Sequence, residues 1–216
     1  MVSKKRSRIS QTIFFFLNDI GDKFNALALK RLVDYLFILS EKIIIHFPRF
    51  IKFYINYYDD IIDHEINIAD ISATSKTVHI GCGPIPSSSI LLAQKTKGYV
   101  LGIDRDNHAV DHAKTLIAEL SLSKHVDIKK AGALDTDFSS FDVILISQGI
   151  FPKEQILQQL STNLTNNQII ILRSFSPNKQ LDEQDQFLSD YYSIHQIYHH
   201  NIHGSTISIF LKKKQK

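Results

Sequence analysis

The spacing of hydrophobic positions changes near residue 72 of this chain. Before that point apolar residues recur three and four positions apart, which is the period of an α-helix; examples are Ile13, Phe16, Leu17 and Ile20. Pro48 predicts a boundary between two helices, because the residue before a proline avoids helical backbone angles. We therefore interpret residues 1–70 as an N-terminal cap of about three helices.

After residue 72, short β-rich runs alternate with helical stretches. The pattern predicts strands at 77–80, 99–103, 126–130, 142–146 and 168–173, with helices near 87–96, 107–122 and 153–164. Such alternation produces right-handed crossovers and a parallel sheet. Two later runs, 191–198 and 205–213, have no predicted helix between them and indicate an antiparallel hairpin. We expect residues 71–216 to form one α/β domain with five parallel strands and this terminal hairpin.

The composition fits a folded protein and limits its partners. The chain has 216 residues, of which 44% are hydrophobic and 22% are charged, enough for one core with a helical cap. The formal net charge is only +3, and the basic excess lies in clusters at 4–8 and 212–216. Such clusters can contact nucleic acid or membrane phosphates. We interpret them as solvated tails and expect no nucleic-acid partner.

No segment predicts stable insertion into a membrane. The apolar run at 13–17 is followed at once by polar residues, whereas a spanning helix needs about 20 apolar residues and a signal peptide needs a longer apolar region. The aromatic residues within 13–58 leave a helix on a membrane surface as an alternative. With Cys82 as its single cysteine, the chain forms no intrachain disulfide. We expect a cytoplasmic protein, with a homodimer as a possible assembly.

The stretch HIGCGPIPSSSILLA (79–93) places a glycine turn between a predicted strand and a predicted helix. Glycine lets a ligand approach the backbone closely. Ser87 stands at or near the place where the dinucleotide fingerprint needs a third glycine, which argues against NAD. Asp104 follows Gly81 by 23 residues at a strand end, where a carboxylate can accept both ribose hydroxyls. The alternative is an ordinary tight turn, with Asp104 capping a helix.

Two further strand ends complete a predicted adenosine pocket. AGALD (131–135) follows the third strand, where backbone amides could meet the adenine edge, and SQG (147–149) ends the fourth strand, where ligands collect in open α/β sheets. A pocket of this kind without phosphate-binding residues fits S-adenosylmethionine as the cofactor. The predicted cofactor-binding residues are Gly81, Cys82, Gly83, Pro84, Asp104, Arg105, Ala133, Leu134, Ser147 and Gln148.

Four stretches of the sequence resemble the nicotianamine synthase family. GCGPIPSSSILLA (81–93) resembles its signature G-x-G-P-x-P-x-S-x-I-x-L-A, and this is the most specific part of the likeness. The stretches at 54–65, 141–150 and 170–177 resemble its tyrosine-rich, fourth-strand and arginine-serine segments. The resemblance covers roughly residues 50–213. It implies a class I S-adenosylmethionine-dependent methyltransferase-like Rossmann fold, which agrees with the predicted sheet.

The resemblance also implies a reaction. Members of the family move the 3-amino-3-carboxypropyl group of S-adenosylmethionine to an amine nitrogen and release methylthioadenosine. Bacterial relatives make one such transfer to an amino acid during the synthesis of opine-type metallophores. The cap of this chain is shorter than that of plant and archaeal relatives, which favours a single transfer to a small amino acid. The expected partner is therefore a small-molecule amine or amino-acid acceptor.

The acceptor amine must lose a proton before it attacks. Tyr54, Tyr58 and Glu65 stand at i, i+4 and i+11, on one face of a helix. A carboxylate in poorly hydrated, aromatic surroundings suits the role of general base. We predict Glu65 and Tyr58 as catalytic residues, and Tyr54 and Arg173 as substrate-binding residues. The alternative is that the tyrosines border the core and that Glu65 is solvated.

Several alternatives stay open at this point. A methyltransferase acting on a small molecule or a protein would have the same cofactor pocket, and a binding module could keep the fold without the chemistry. Imidazoles at His195, His199, His200 and His203 could hold zinc or copper. Their spacing matches no established signature, and we predict no metal. Cys82 is interpreted as a small buried side chain rather than a nucleophile.

Overall fold

The computed structural model of the protein describes residues 44, 47–175, 184–200 and 206–214. The helices in these ranges are α1 (Pro48–Tyr57), α2 (Asp59–Ala69), α3 (Ser87–Thr96), α4 (Asn107–Glu119), α5 (Lys153–Asn163) and α6 (Gln184–Tyr191), and a 3₁₀ turn covers Ala133–Asp135. The strands are β1 (Lys76–Ile80), β2 (Tyr99–Asp104), β3 (Val126–Lys130), β4 (Val143–Ile146), β5 (Ile169–Phe175), β6 (Tyr192–His199) and β7 (Thr206–Lys213).

The seven strands form one sheet in the order β3-β2-β1-β4-β5-β7-β6. Strands β1 to β5 run parallel, and β7 runs antiparallel to both β5 and β6. The predicted fold class, five parallel strands with a terminal antiparallel hairpin, is therefore confirmed. The chain moves outward from β1 to β2 and β3, and then crosses back to β4 on the other side of β1. Such a switch point leaves a crevice at the carboxyl ends of the strands, where ligands bind in open α/β sheets.

Helices cover both faces of the sheet, because successive strand residues point to opposite sides. In β5, Ile169 and Ile171 pack in the core beneath α1 to α4, while Ile170 and Leu172 pack in the core beneath α5 and α6. The same alternation directs Arg173 toward the face that carries α1, α2 and α3. It therefore decides which helices can reach the side chain of Arg173.

The first two described helices differ in one respect from the prediction. α1 begins at Pro48, as the proline indicated, but it ends at Tyr57, and α2 begins only at Asp59. The predicted continuous helix face from Tyr54 to Glu65 is therefore interrupted at Tyr58. Both helices pack in the same core as the sheet. The rest of the predicted cap at 1–70, apart from residue 44, lies outside the described residues.

Helix α6 was not predicted. In this eight-residue helix Leu188 is buried, and Phe187 and Tyr191 are half-buried. The segment is too short for a helical period to be recognised in its apolar positions. The helix precedes the hairpin, so β6 begins at Tyr192 rather than at residue 191. Within the described ranges, no helix has both the length and the apolar character that crossing a bilayer requires.

Candidate active site

A cavity of about 680 Å³ lies at the carboxyl ends of β1, β2 and β4 and extends to α1 and β5. Its size is that of a small-molecule site. Its walls include residues 81–85 in the glycine turn, 103–106 at the end of β2, 131–133 after β3 and 147–151 after β4. Tyr54, Tyr58 and Arg173 form part of the other end. All predicted site residues line this cavity except Glu65 and Leu134.

The glycine turn and the strand-end acid are joined by a hydrogen bond. The backbone N–H of Gly83 donates to Asp104 Oδ2 at 3.0 Å, and the N–H of Asp106 donates to Asp104 Oδ1 at 3.0 Å. Asp104 is therefore fixed at the cavity wall and is not a helix cap. The cap of α4 is Asp106, whose side chain accepts from the N–H of His108. A carboxylate held in this way keeps lone pairs for ribose hydroxyls.

The geometry of the turn requires glycine. Gly81 and Gly83 have φ of 76° and 67°, which L side chains rarely adopt. A Cβ at Gly81 would lie 2.1 Å from Ile150 Cδ1. Gly102, on the neighbouring strand, leaves the space into which Cys82 packs, because a Cβ there would lie 3.2 Å from its sulfur. Cys82 is buried, as interpreted from the sequence.

His79 lies beneath the turn and was not predicted as a site residue. Ser147 donates its hydroxyl proton to Gly81 O at 2.9 Å, so Ser147 Oγ accepts from His79 Nε2 at 2.8 Å. The other ring nitrogen, Nδ1, then accepts from Ser89 Oγ at 2.9 Å. Burial, followed by repulsion from Arg173, lowers the pKa of His79 to about 3. A neutral imidazole therefore joins β1, α3 and the end of β4 under the glycine turn.

The two predicted residues after β3 differ in their position. Ala133 lines the cavity, whereas Leu134 is exposed on the 3₁₀ turn, and its carbonyl accepts from Gln159 Nε2 at 2.8 Å. Leu134 is therefore not among the residues that line the pocket it was predicted to contact. Arg105 also lines the cavity and donates to Phe151 O at 3.4 Å. Phe151 is 74% exposed and also lines the cavity.

Glu65 and Arg173 form a buried ion pair at the other end of the cavity. Arg173 Nε donates to Glu65 Oε1 at 2.8 Å and Nη2 donates to Oε2 at 2.7 Å, a bidentate geometry. Arg173 Nη1 donates to Ser88 Oγ at 2.8 Å. The exposed fraction of Glu65 is 0%. The alternative of a solvated Glu65 is wrong, and the guanidinium of Arg173, not the carboxylate, forms the cavity wall.

Aromatic rings surround this ion pair. The guanidinium of Arg173 lies 5.4 Å from the centre of the Tyr58 ring, and the hydroxyls of Tyr54 and Tyr58 are 3.4 Å apart. Burial, the largest single effect, acts to lower the pKa of Arg173, but the charge and hydrogen bonds of Glu65 together with the nearby Tyr58 and Tyr54 outweigh it, so the pKa is raised. Burial and the neighbouring Tyr58 raise the pKa of Tyr57. This end of the cavity therefore combines a fixed cation with neutral phenols.

Polar residues of the hairpin region hold Glu65 through hydrogen bonds. Ser208 of β7 is the cross-strand partner of Arg173 and donates to Glu65 Oε1 at 2.7 Å. His200 Nε2 lies 2.8 Å from Ser208 Oγ. His195 is exposed on β6, and His203 lies outside the described residues. In the part of the chain that the structure describes, no three His, Cys, Asp or Glu side chains are placed to hold a metal ion.

The family follows from a comparison of the whole sequence. The sequence model described as "Nicotianamine synthase protein" matches residues 5–216. The chain belongs to the nicotianamine synthase family. The resemblance found in the sequence is thereby confirmed. An L-histidine 2-aminobutanoyltransferase from Yersinia pestis is 25% identical over 120 residues, covering 56% of this chain. That alignment spans 45% of the relative, less than half of its own length.

Solved structures with the same fold include two of MtNAS and one of a methyltransferase. MtNAS in complex with MTA and tNA superposes with a TM-score of 0.74 at 17% identity, covering 94% of this chain and 82% of that one. A mutant of MtNAS in complex with S-adenosylmethionine gives a TM-score of 0.65 at 14% identity, over 97% and 75%. A SAM-dependent methyltransferase from Aquifex aeolicus gives 0.56 at 13% identity, over 69% and 88%.

Proposed function

We propose that this protein transfers the 3-amino-3-carboxypropyl group of S-adenosylmethionine to the amine of a small amino acid and releases methylthioadenosine. Membership of the nicotianamine synthase family supports this activity. The observation that carries the proposal is the composition of the cavity. One end has the glycine turn and Asp104 of a nucleoside site, and the other has Arg173, Tyr58 and the buried Glu65.

The nucleoside end binds the adenosine part of the co-substrate. Asp104 accepts the ribose hydroxyls, and the backbone of residues 132–133 approaches the base. The N–H groups of Gly81 and Cys82 donate to Ile103 O and that of Gly83 donates to Asp104, so the glycine turn contributes close approach of its backbone. The known complex of MtNAS with S-adenosylmethionine supports this cofactor. Gly81, Cys82, Gly83 and Pro84 contribute backbone, while Arg105, Ala133, Ser147 and Gln148 contribute the surrounding walls.

The other end decides which carbon of the sulfonium reacts. Three carbons are bonded to that sulfur, and the one presented to the amine is attacked, which is a matter of positioning. Arg173 and Ser88 offer a cation and a hydroxyl at the cavity wall, suitable partners for the α-carboxylate of the aminocarboxypropyl group. Tyr58 and Tyr54 would then contact the same group or the incoming amine.

Glu65 is the proposed base, and its position sets a condition on the reaction. Both oxygens of the carboxylate are bonded to Arg173, and the side chain has no exposed surface. A substrate carboxylate that binds Arg173 would take over part of the guanidinium and permit Glu65 to approach the amine. The amine would thus lose its proton to Glu65 before its nitrogen forms the new bond to carbon and the carbon–sulfur bond breaks.

The identity of the acceptor, the cellular location and the biosynthetic role are further parts of this proposal. The Yersinia pestis relative is named for transfer to L-histidine, which supports an amino acid as the acceptor. We propose a single transfer, in the cytoplasm, within the synthesis of a metallophore. Residues 47–70 would form part of a cap at the acceptor end, where the tyrosines of α1 already form a wall. A homodimer is the assembly to test.

The nucleoside by-product tests the proposal directly. Purified protein is incubated with S-adenosylmethionine and a pool of amino acids, and both nucleosides are measured by mass spectrometry. We expect methylthioadenosine whose formation needs an added amino acid and is lost in Glu65→Gln. Asp63→Asn is the matched control, because Asp63 lies on the same helix and is exposed, with a salt bridge to Lys95 at 2.7 Å.

The other outcomes of this assay are equally informative. Adenosylhomocysteine would make the protein a methyltransferase and would refute aminocarboxypropyl transfer. Neither nucleoside, together with binding of S-adenosylmethionine in a calorimeter, would favour a binding module without chemistry. Circular dichroism of Glu65→Gln at the assay temperature shows whether the variant is folded, so that loss of the product can be assigned to the missing carboxylate.

A further inference from the structure

A line of hydrogen bonds continues behind Glu65, away from the cavity. Ser208 of β7 donates its hydroxyl proton to Glu65 Oε1 at 2.7 Å, and His200, directly after β6, has Nε2 at 2.8 Å from Ser208 Oγ. The exposed fractions of Glu65 and Ser208 are both 0%, and that of His200 is 3%. The line therefore connects α2 with the two strands of the hairpin through side chains that water does not reach.

Counting the available protons shows which group donates in each hydrogen bond of this line. Arg173 Nε, Arg173 Nη2 and Ser208 Oγ all donate to Glu65, so each bond treats its carboxylate as an acceptor. The single hydroxyl proton of Ser208 is thus engaged. The bond between Ser208 and His200 can form only if His200 Nε2 carries a proton and donates it. His200 thereby fixes which way the Ser208 hydroxyl points.

Neither Ser208 nor His200 lines the cavity, so both act through Glu65 rather than on a substrate. Without the donor on His200, the Ser208 hydroxyl could turn away, and Glu65 Oε1 would keep only its bond to Arg173. The carboxylate would then have one less fixed contact to hold its plane against the guanidinium. The backbone N–H of His200 donates to Thr206 O at 3.1 Å, which fixes the residue where the strands approach each other.

We propose that His200 is a positioning residue for group transfer, which through the Ser208 hydroxyl orients the Glu65 carboxylate. The inference rests on the proposed function, since it assigns a role within that reaction. It predicts a specific chemical requirement at residue 200, namely a hydrogen-bond donor at the position of Nε2. A residue that only fills space there would not meet this requirement.

Three variants separate a donor from a space-filling role. His200→Phe keeps an aromatic ring without a donor, His200→Gln restores an N–H near the position of Nε2, and Ser208→Ala removes one oxygen atom. We expect the kcat for methylthioadenosine formation to fall about tenfold or more in His200→Phe and Ser208→Ala. In His200→Gln most of the rate should return. The Kd for S-adenosylmethionine should stay within about twofold of the wild type in all three.

The exposed His195 on β6 supplies the matched control, because His195→Gln should leave kcat unchanged. The wild type is assayed first; if it forms no methylthioadenosine, the proposed function fails, whatever His200 does. If it turns over, an unchanged kcat in Ser208→Ala or His200→Phe overturns the positioning role. Equal loss in His200→Gln and His200→Phe overturns it as well. Should His200→Phe fail to fold, Ser208→Ala with Ser208→Thr, which keeps the hydroxyl, decides the question.

Discussion

Removal of the negative charge of Glu65 should destabilise the protein strongly. In Glu65→Gln the amide can accept from only some of the three donors that surround the carboxylate, and its NH₂ group would face a donor of Arg173. The guanidinium, only 4% exposed, would then be a buried charge without its counterion. Breaking one side of a buried pair costs about 3–5 kcal/mol.

Equilibrium unfolding in urea measures this cost. With a denaturant slope of about 2 kcal/mol per molar, a loss of about 4 kcal/mol lowers the unfolding midpoint by about 2 M. Asp63→Asn is again the control, since its partner Lys95 is bridged at the surface, where removal of one ion pair costs less than about 1 kcal/mol.

A double substitution separates the charge from the packing. Glu65→Leu combined with Arg173→Met removes both charges, and exchange of a whole buried pair for apolar residues is often close to neutral. We expect this variant to be more stable than Glu65→Gln and to form no methylthioadenosine. A loss below about 1 kcal/mol in Glu65→Gln would refute the reasoning, because the ion pair would then contribute no more than one at the surface.

Three further predictions concern the cofactor end. Asp104→Asn should weaken S-adenosylmethionine binding by about 10- to 100-fold in calorimetry, because the amide replaces an acceptor of Gly83 N–H and of the ribose. Asp106→Asn is the control, since Asn is also a good helix cap, and it should change the Kd less than about twofold. Equal losses of affinity in the two variants would contradict the role of Asp104. Gly81→Ala should lose S-adenosylmethionine binding and about 1–2 kcal/mol of stability, because its φ is 76° and the methyl would meet Ile150. Gly149→Ala has open space around its Cβ but lines the cavity, so it is the control for stability alone and should keep the wild-type unfolding midpoint. Binding by Gly81→Ala would exclude the tight turn. His79 takes up a proton near pH 6.5 when unfolded but only near pH 3 when folded, so its contribution to the free energy of unfolding is present above about pH 6.5 and is lost progressively as the pH falls toward 3. Urea unfolding at pH 7 and pH 5 should therefore show a smaller loss in His79→Gln than in the wild type, and parallel losses would show that His79 titrates normally.

The parts of the site that could be predicted are local in sequence. Gly81, Gly83 and Asp104 belong to adjacent strand ends, and the carboxyl ends of parallel strands meet at one edge of a sheet. The strand pattern therefore sufficed to bring them together, and the structure adds the bond from Gly83 N–H to Asp104. The sheet itself was predictable for the same reason, since each strand has its own run of apolar residues.

The parts that could not be predicted depend on contacts between distant residues. Glu65 and Arg173 are 108 positions apart, and nothing in either local sequence indicates that the guanidinium covers the carboxylate. In the sequence His79 resembles a core residue of a strand, and Ser208 resembles any polar residue of a hairpin. Ser208 comes close to Glu65 only because the strand register pairs it with Arg173. Side chains alternate along β1, so the apolar Val78 and Ile80 could have suggested that His79 points to the opposite face, which carries α3.

The place of β7 in the sheet has a consequence for how the protein matures during synthesis. β7 lies between β5 and β6, although it follows both along the chain, so β6 joins the sheet through β7 and cannot add before it. A ribosome-bound chain that ends before residue 206 could already form the glycine turn with its bond to Asp104, the proposed nucleoside site. It would lack Ser208 and the strand that flanks Arg173, and Glu65 would be without its full set of donors. Cofactor binding and group transfer would therefore be acquired in sequence, the second only when the last described strand enters.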